Sequence, residues 1–109
     1  MTYNNYGTGI TTLDFILGDN TALSIPVDIN DNERHEITAM WEGGASGTKK
    51  LYLDGNYLGQ DTYTNFGALN YYFELGSLNS GVGTFFKGDI QQVRMYNRQL
   101  STREVGTLV

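Results

Sequence analysis

Cysteine is absent from all 109 residues, which excludes a disulfide framework, thiolate chemistry and a cysteine-based metal site, and leaves the redox compartment unreadable. Proline and histidine occur once each. Basic charge is scarce. Seven Lys and Arg against twelve Asp and Glu give a net charge of −5 and a pI near 4.5, so the phosphate-neutralising surface that nucleic acid requires is missing. No apolar run approaches the ~20 residues needed to span a bilayer. The N-terminal MTYNNYGTG has neither a basic n-region nor an apolar h-region, so the chain as it stands carries no signal peptide. Neither nucleic acid nor membrane is expected as a partner.

What the chain does have is glycine, tyrosine and short alternating runs. Fourteen glycines, eight tyrosines and 39% hydrophobic residues suit short strands joined by tight turns, built around one modest core. The expected class is all-β. Residues 1–9 show no periodicity and read as a flexible arm or edge extension; 10–109 read as one domain.

Leu13, Phe15 and Leu17 alternate with polar or opposing positions, Gly18-Asp19-Asn20 turns the chain, and Leu23, Ile25 and Val27 follow on one face, which predicts a hairpin. Pro26 cannot donate a ladder hydrogen bond, so the second strand belongs at a sheet edge. Ile37, Ala39 and Trp41 share one face of the best-patterned strand, and Trp41 in that phase reads as core rather than as a ligand-stacking ring. Residues 49–61 form a hairpin with Asp54-Gly55 at a type I′ corner. Its register pairs Leu53 with Asn56, Tyr52 with Tyr57 and Leu51 with Leu58, placing the leucines on the core face and both tyrosines outward. Tyr71, Phe73 and Leu75 mark a further strand, and the glycine-rich 76–83 reads as a connection, since it lacks the ending of a phosphate cradle.

Val93 and Met95 alternate with Gln92 and Arg94, predicting a strand that buries both, with Ile90 brought into phase by a bulge near Gln91-Gln92. Ser101-Thr102-Arg103-Glu104 fits a capping box that starts one helical turn fraying near Gly106.

Two clusters carry candidate chemistry. Asp28, Asn30, Asp31 and Asn32 supply the oxygens a hard cation wants, so calcium is the one cofactor the sequence suggests. The same residues build an Asx-rich turn, which is the favoured reading. His35, the single histidine, stands near no nucleophile signature, so a structural role outweighs a metal site or a triad.

HEITAMWEGG (35–44), LYLDG (51–55) and FKGDIQQVRMYNRQLSTREV (86–105), in that order and spacing, resemble the laminin-G-like jelly-roll domains of the concanavalin A-like lectin and glucanase group. The resemblance implies an antiparallel two-sheet β-sandwich with a short C-terminal helical turn, used to bind glycans or proteins at cell or particle surfaces. Arg34 stands where such domains usually carry a tryptophan, and Gln91-Gln92 replaces an acidic pair. The N-terminal part is short for the family, which points to a trimmed sandwich, or to edges covered in a homo-oligomer or larger assembly.

Hydrolases of the group need acidic residues alternating along one strand. Glu74 stands alone in its strand, and a glycosidase needs two positioned carboxylates, so no enzyme activity is expected. The expected function is non-catalytic recognition of a glycan or protein ligand through Tyr52, Tyr57, Tyr63 and Tyr72, with Asn65 among the loop polar groups. The alternative is a virion component such as a phage capsid decoration or fibre protein. Its motive is a fold used mainly outside cells on a chain that starts at Met1 without an export signal. Localisation is expected to be extracellular or at a virion surface.

Overall fold

The computed structural model describes residues 2–5, 11–17, 21–64, 86 and 88–108. The chain divides into two compact units, Met1–Gly67 with Arg98–Val109, and Ala68–Asn97.

Among the described residues, the first unit holds two three-stranded antiparallel sheets. One contains β1 (Thr2–Asn5), β2 (Thr11–Leu17) and β3 (Thr21–Pro26), with β2 central; the other contains β4 (Ile37–Trp41), β5 (Ser46–Leu53) and β6 (Asn56–Thr64), with β5 central. The predicted first hairpin is β2 and β3. Pro26 ends β3, which stands at the sheet edge among the described residues, where a missing N–H is tolerated. Residues 2–5 take the edge-extension form, pairing Tyr3 with Leu13.

Alternation turns Leu13 and Phe15 of β2 and Leu23 of β3 to one side, where they meet Leu51 of β5, with Leu17, Ile25, Val27, Ala39 and Leu58 around them. This is the filling between the sheets. Each fully buried Leu there contributes roughly 1.5–3 kcal/mol. Cross-strand pairing sets Ile37 opposite Leu53, Ala39 opposite Leu51 and Trp41 opposite Lys49, so the predicted phase of β4 holds. Its depth is less than expected. Trp41 is 41% exposed at the rim, its ring edge-on to Phe15 at 6.3 Å, and Ile37 is also partly exposed. Lys49 lies fully inside, its Nζ 3.5 Å from Asp61 Oδ1.

The β5–β6 corner is as expected. Asp54 and Gly55 take φ of 51° and 81°, the paired positive values of a type I′ turn. Leu53 faces Asn56 and Tyr52 faces Tyr57, but Leu51 then faces Gly59 rather than Leu58. Leu58 is the extra residue of a β-bulge. Glycine suits the site because a Cβ at residue 59 would lie 3.1 Å from Ile25 Cδ1 of the other sheet. β6 also runs on to Thr64, past the hairpin end expected at residue 61.

A second apolar cluster lies on the opposite face of β4 and β5. Tyr52, expected to face outward, and Met40, out of phase with Ile37, Ala39 and Trp41, are buried there under Leu100 and Val105, with Leu108 beside them. The cover comes from α1 (Thr102–Thr107) and the residues leading into it. The capping box forms as predicted. Glu104 N donates to Ser101 Oγ at 3.1 Å and Ser101 N donates to Glu104 Oε1 at 3.0 Å. Arg98 adds a two-pronged ion pair to Glu104, at 3.0 and 2.6 Å.

In the second unit the described residues are 86 and 88–97. They carry no strand, so the expected buried strand around Val93 is corrected. Val93 and Met95 are 46% and 73% exposed, and Ile90 is exposed too. A strand requires a neighbour for its N–H and C=O groups, and no described strand pairs with this stretch. Arg94 bonds locally instead, to Gln92 Oε1 at 2.9 Å. The bulge expected at Gln91-Gln92 has no ladder to sit in. The expected strand at Tyr71–Leu75, the loop at 76–83 and the turn at 18–20 lie outside the described residues.

Candidate functional site

The structure separates the predicted ligand tyrosines. Tyr52 and Tyr57 are cross-strand partners with rings 5.6 Å apart, edge to face at 71°. Tyr52 is buried beneath α1, its hydroxyl 3.3 Å from Thr102 Oγ1. Tyr63 is buried on the other side of the sheet, donating its hydroxyl to Gly43 O at 2.8 Å. Neither ring has a face to offer, which corrects the expectation that they look outward. Tyr72 and Asn65 lie outside the described residues. Tyr57 is 50% exposed.

The bulge decides what surrounds Tyr57. In a regular strand residues 57 and 60 would point to opposite faces, but the extra residue between them turns Gln60 to the face of Tyr57. Tyr57 then donates its hydroxyl to Gln60 Oε1 at 3.1 Å. Cross-strand pairing sets Lys50 beside Gln60 and Thr48 beside Thr62. One sheet face thus carries an aromatic ring, a carboxamide, an ammonium and two hydroxyls. No reading of the sequence anticipated Gln60 or Lys50, since the bulge that groups them has no local signature.

His35 is the centre of a second cluster. Its Nδ1 lies 2.7 Å from Asp54 Oδ2, and its Nε2 lies 2.8 and 3.0 Å from the two oxygens of Asp31. Asp54 is pinned further: Glu36 N donates to its Oδ1 at 2.8 Å, and Asp54 N donates to Glu36 O at 2.8 Å. Hydrogen bonds to Asp54 first and Asp31 second hold the His35 pKa above its ordinary 6.5, outweighing a small burial cost. The same contact is the main reason that Asp31 sits below its ordinary 3.8. Arg34, His35, Glu36, Asp54 and Leu108 line a cleft of about 180 Å3. With a carboxylate on each ring nitrogen, His35 has no nitrogen facing a hydroxyl, so the arrangement is a structural bracket rather than a triad.

The acidic loop has the turn geometry. Asp28 Oδ1 accepts Asn30 N at 2.9 Å and Asp31 Oδ1 accepts Glu33 N at 3.0 Å, two Asx turns in succession, with Asn32 left-handed at φ 62°. Both Asp31 oxygens meet His35, so a cation at this loop would have to displace the ring from them. Among the described residues no three His, Cys, Asp or Glu side chains are grouped to hold a metal.

Two facing sheets, a capped C-terminal helix and a polar aromatic face belong to several β-sandwich families, and the chain as a whole discriminates among them. A family model for the laminin G type of the concanavalin A-like lectin/glucanases superfamily matches residues 2–106. The chain belongs to that superfamily. The match begins at residue 2, so β1, β2 and β3 lie inside the family's span. Membership in this superfamily is consistent with a non-catalytic binding domain. Comparison with curated proteins and with solved structures gave no match. Among the described residues no helix is long and apolar enough to cross a membrane.

Proposed function

We propose that this laminin-G-like domain is a non-catalytic recognition module that binds glycans on the outer face of β5 and β6, around Tyr57. The observation that carries the reading is the way Tyr57 is held. Its ring is half exposed yet fixed from two sides, by the edge-on contact with Tyr52 and by the hydroxyl bond to Gln60. A ring fixed in advance loses little freedom on binding. An aromatic face stacks on the apolar face of a pyranose. Gln60, Lys50, Thr48 and Thr62 offer donors and acceptors for ring hydroxyls. Calorimetric titration with a glycan panel tests this. Binding should occur to the wild type and weaken at least tenfold in Tyr57→Ala; a flat response from the wild type overturns it.

A second reading, a component of a larger assembly such as a virion surface, is favoured by apolar side chains left exposed. Ile16, Ile37 and Trp41 are each about 40% exposed, and among the described residues β4 stands at an edge of its sheet. Apolar edge strands invite pairing with other chains. Light scattering after size exclusion checks it: a homo-oligomer supports assembly, and a monomer across concentrations counts against it. Either reading belongs outside the cell or on a particle.

A further inference from the structure

The bracket around His35 contains a protonation requirement. A neutral imidazole has one N–H, and only the imidazolium has two. Asp54 at 2.7 Å and Asp31 at 2.8 Å each need a donor from the ring, on opposite nitrogens. When the ring loses a proton, one carboxylate must lose its partner.

Which one loses is decided by how each is held. Asp54 sits in the left-handed corner of the β5–β6 turn at φ 51°, its other oxygen and its own N–H both bonded to the Glu36 backbone. Asp31 is on an exposed loop, and its further bond among the described residues is the turn to Glu33 N. The remaining proton therefore stays on Nδ1, facing the rigid partner. The Nε2 lone pair is then left against the Asp31 carboxylate, acceptor to acceptor.

We infer that His35 is a protonation-dependent latch, which ties the 28–33 loop to the β5–β6 turn as an imidazolium and releases the Asp31 side as a neutral ring. Among the described residues, the charged groups around it are Asp31 from the loop, Asp54 from the turn, and its chain neighbours Arg34 and Glu36. From the C-terminal end of α1 the neighbouring described residue is its cap, Leu108, whose side chain brings no charge. Two carboxylates hold the proton on the ring, so release comes above pH 6.5 rather than below it.

The test is a pH titration of the 15N-histidine-labelled protein by long-range 1H–15N NMR, with amide exchange of residues 28–35 followed in parallel and corrected for its intrinsic pH dependence. The expected result has three parts: a His35 midpoint above 6.5, a neutral form protonated on Nδ1, and loss of loop protection over the same midpoint while the Asp54-Gly55 amides keep theirs. Asp31→Asn, which stays isosteric, should lower the midpoint and abolish the step in loop protection. A neutral ring protonated on Nε2, a midpoint at or below 6.5, loop protection that ignores the midpoint, or an Asp31→Asn titration matching the wild type would each overturn the latch.

Discussion

Leu51→Ala tests the interior between the sheets most sharply. Leu51 has no exposed surface and is the residue of β5 around which Leu13, Phe15 and Leu23 gather. Truncation removes three carbons, worth about 2.4 kcal/mol at about 0.8 kcal/mol each. Two sheets cannot close fully on the gap, and the residual cavity adds about 1 kcal/mol. The sum, about 3–4 kcal/mol, is a large share of the roughly 5–15 kcal/mol that stabilises a typical domain. It corresponds to a fall in Tm of roughly 12–25 °C for a chain of this size. Urea unfolding followed by the fluorescence of Trp41, the single tryptophan, which rests against Phe15, reads the change. Met95→Ala is the control: at 73% exposure it should stay within about 0.5 kcal/mol. A Leu51→Ala loss below about 1 kcal/mol, or a Met95→Ala loss exceeding it, refutes this placement of the core. If Leu51→Ala fails to fold, Leu51→Val should give a smaller loss of the same sign.

Tyr63→Phe removes the hydroxyl that satisfies Gly43 O and should cost about 1–1.5 kcal/mol in urea unfolding with the fold unchanged by circular dichroism; an unchanged stability contradicts that bond. Ser101→Ala removes the N-cap acceptor of α1 and should cost about 1 kcal/mol, also loosening the cover over Tyr52, which near-UV circular dichroism reads. Stability should depend on pH in both directions. Glu104, lowered to about 2 by Arg98 and the Ser101 amide, contributes stability that is present above its ordinary 4.5 and lost as pH falls toward 2. Asp31, also lowered, acts in the same direction below its ordinary 3.8. His35 is raised, so its contribution is complete below 6.5 and lost as pH rises through its folded value. The urea midpoint should therefore rise from pH 2 to 4.5, level off, and fall above 6.5; a midpoint still climbing through that last region would contradict the His35 assignment.

The features legible in the sequence were those fixed by neighbours along the chain. Asp54-Gly55 specifies its own turn, Ser101 and Glu104 specify their own box, and alternation in Leu13-Phe15 and in Ile37-Ala39-Trp41 gives the inward phase without reference to anything distant. What alternation does not carry is depth or cover. Met40 and Tyr52 have the phase of an outer face and are buried because α1 lies across them, some fifty or more residues later in the chain. Trp41 has the right phase but stands at the end of its strand, where the sheet rim leaves it half wet. Lys49 looks like a surface residue and is buried beside Asp61. Val93 and Met95 show the opposite failure, a strand pattern in a stretch with no described partner strand. At the candidate site, Tyr57 was legible as an outward aromatic, whereas Gln60 joins it and Lys50 on that face only through the bulge at Leu58, next to which Gly59 leaves no room for a Cβ beside Ile25.

The central functional claim is that ligand recognition happens on the outer face of β5 and β6. Backbone-amide chemical-shift mapping during titration with an oligosaccharide that binds in calorimetry tests it residue by residue. Shifts should concentrate at Lys50, Tyr57, Gln60 and Thr62 and be absent from Tyr57→Ala. Shifts confined to the 28–33 loop, or to any surface that excludes Tyr57, would contradict it.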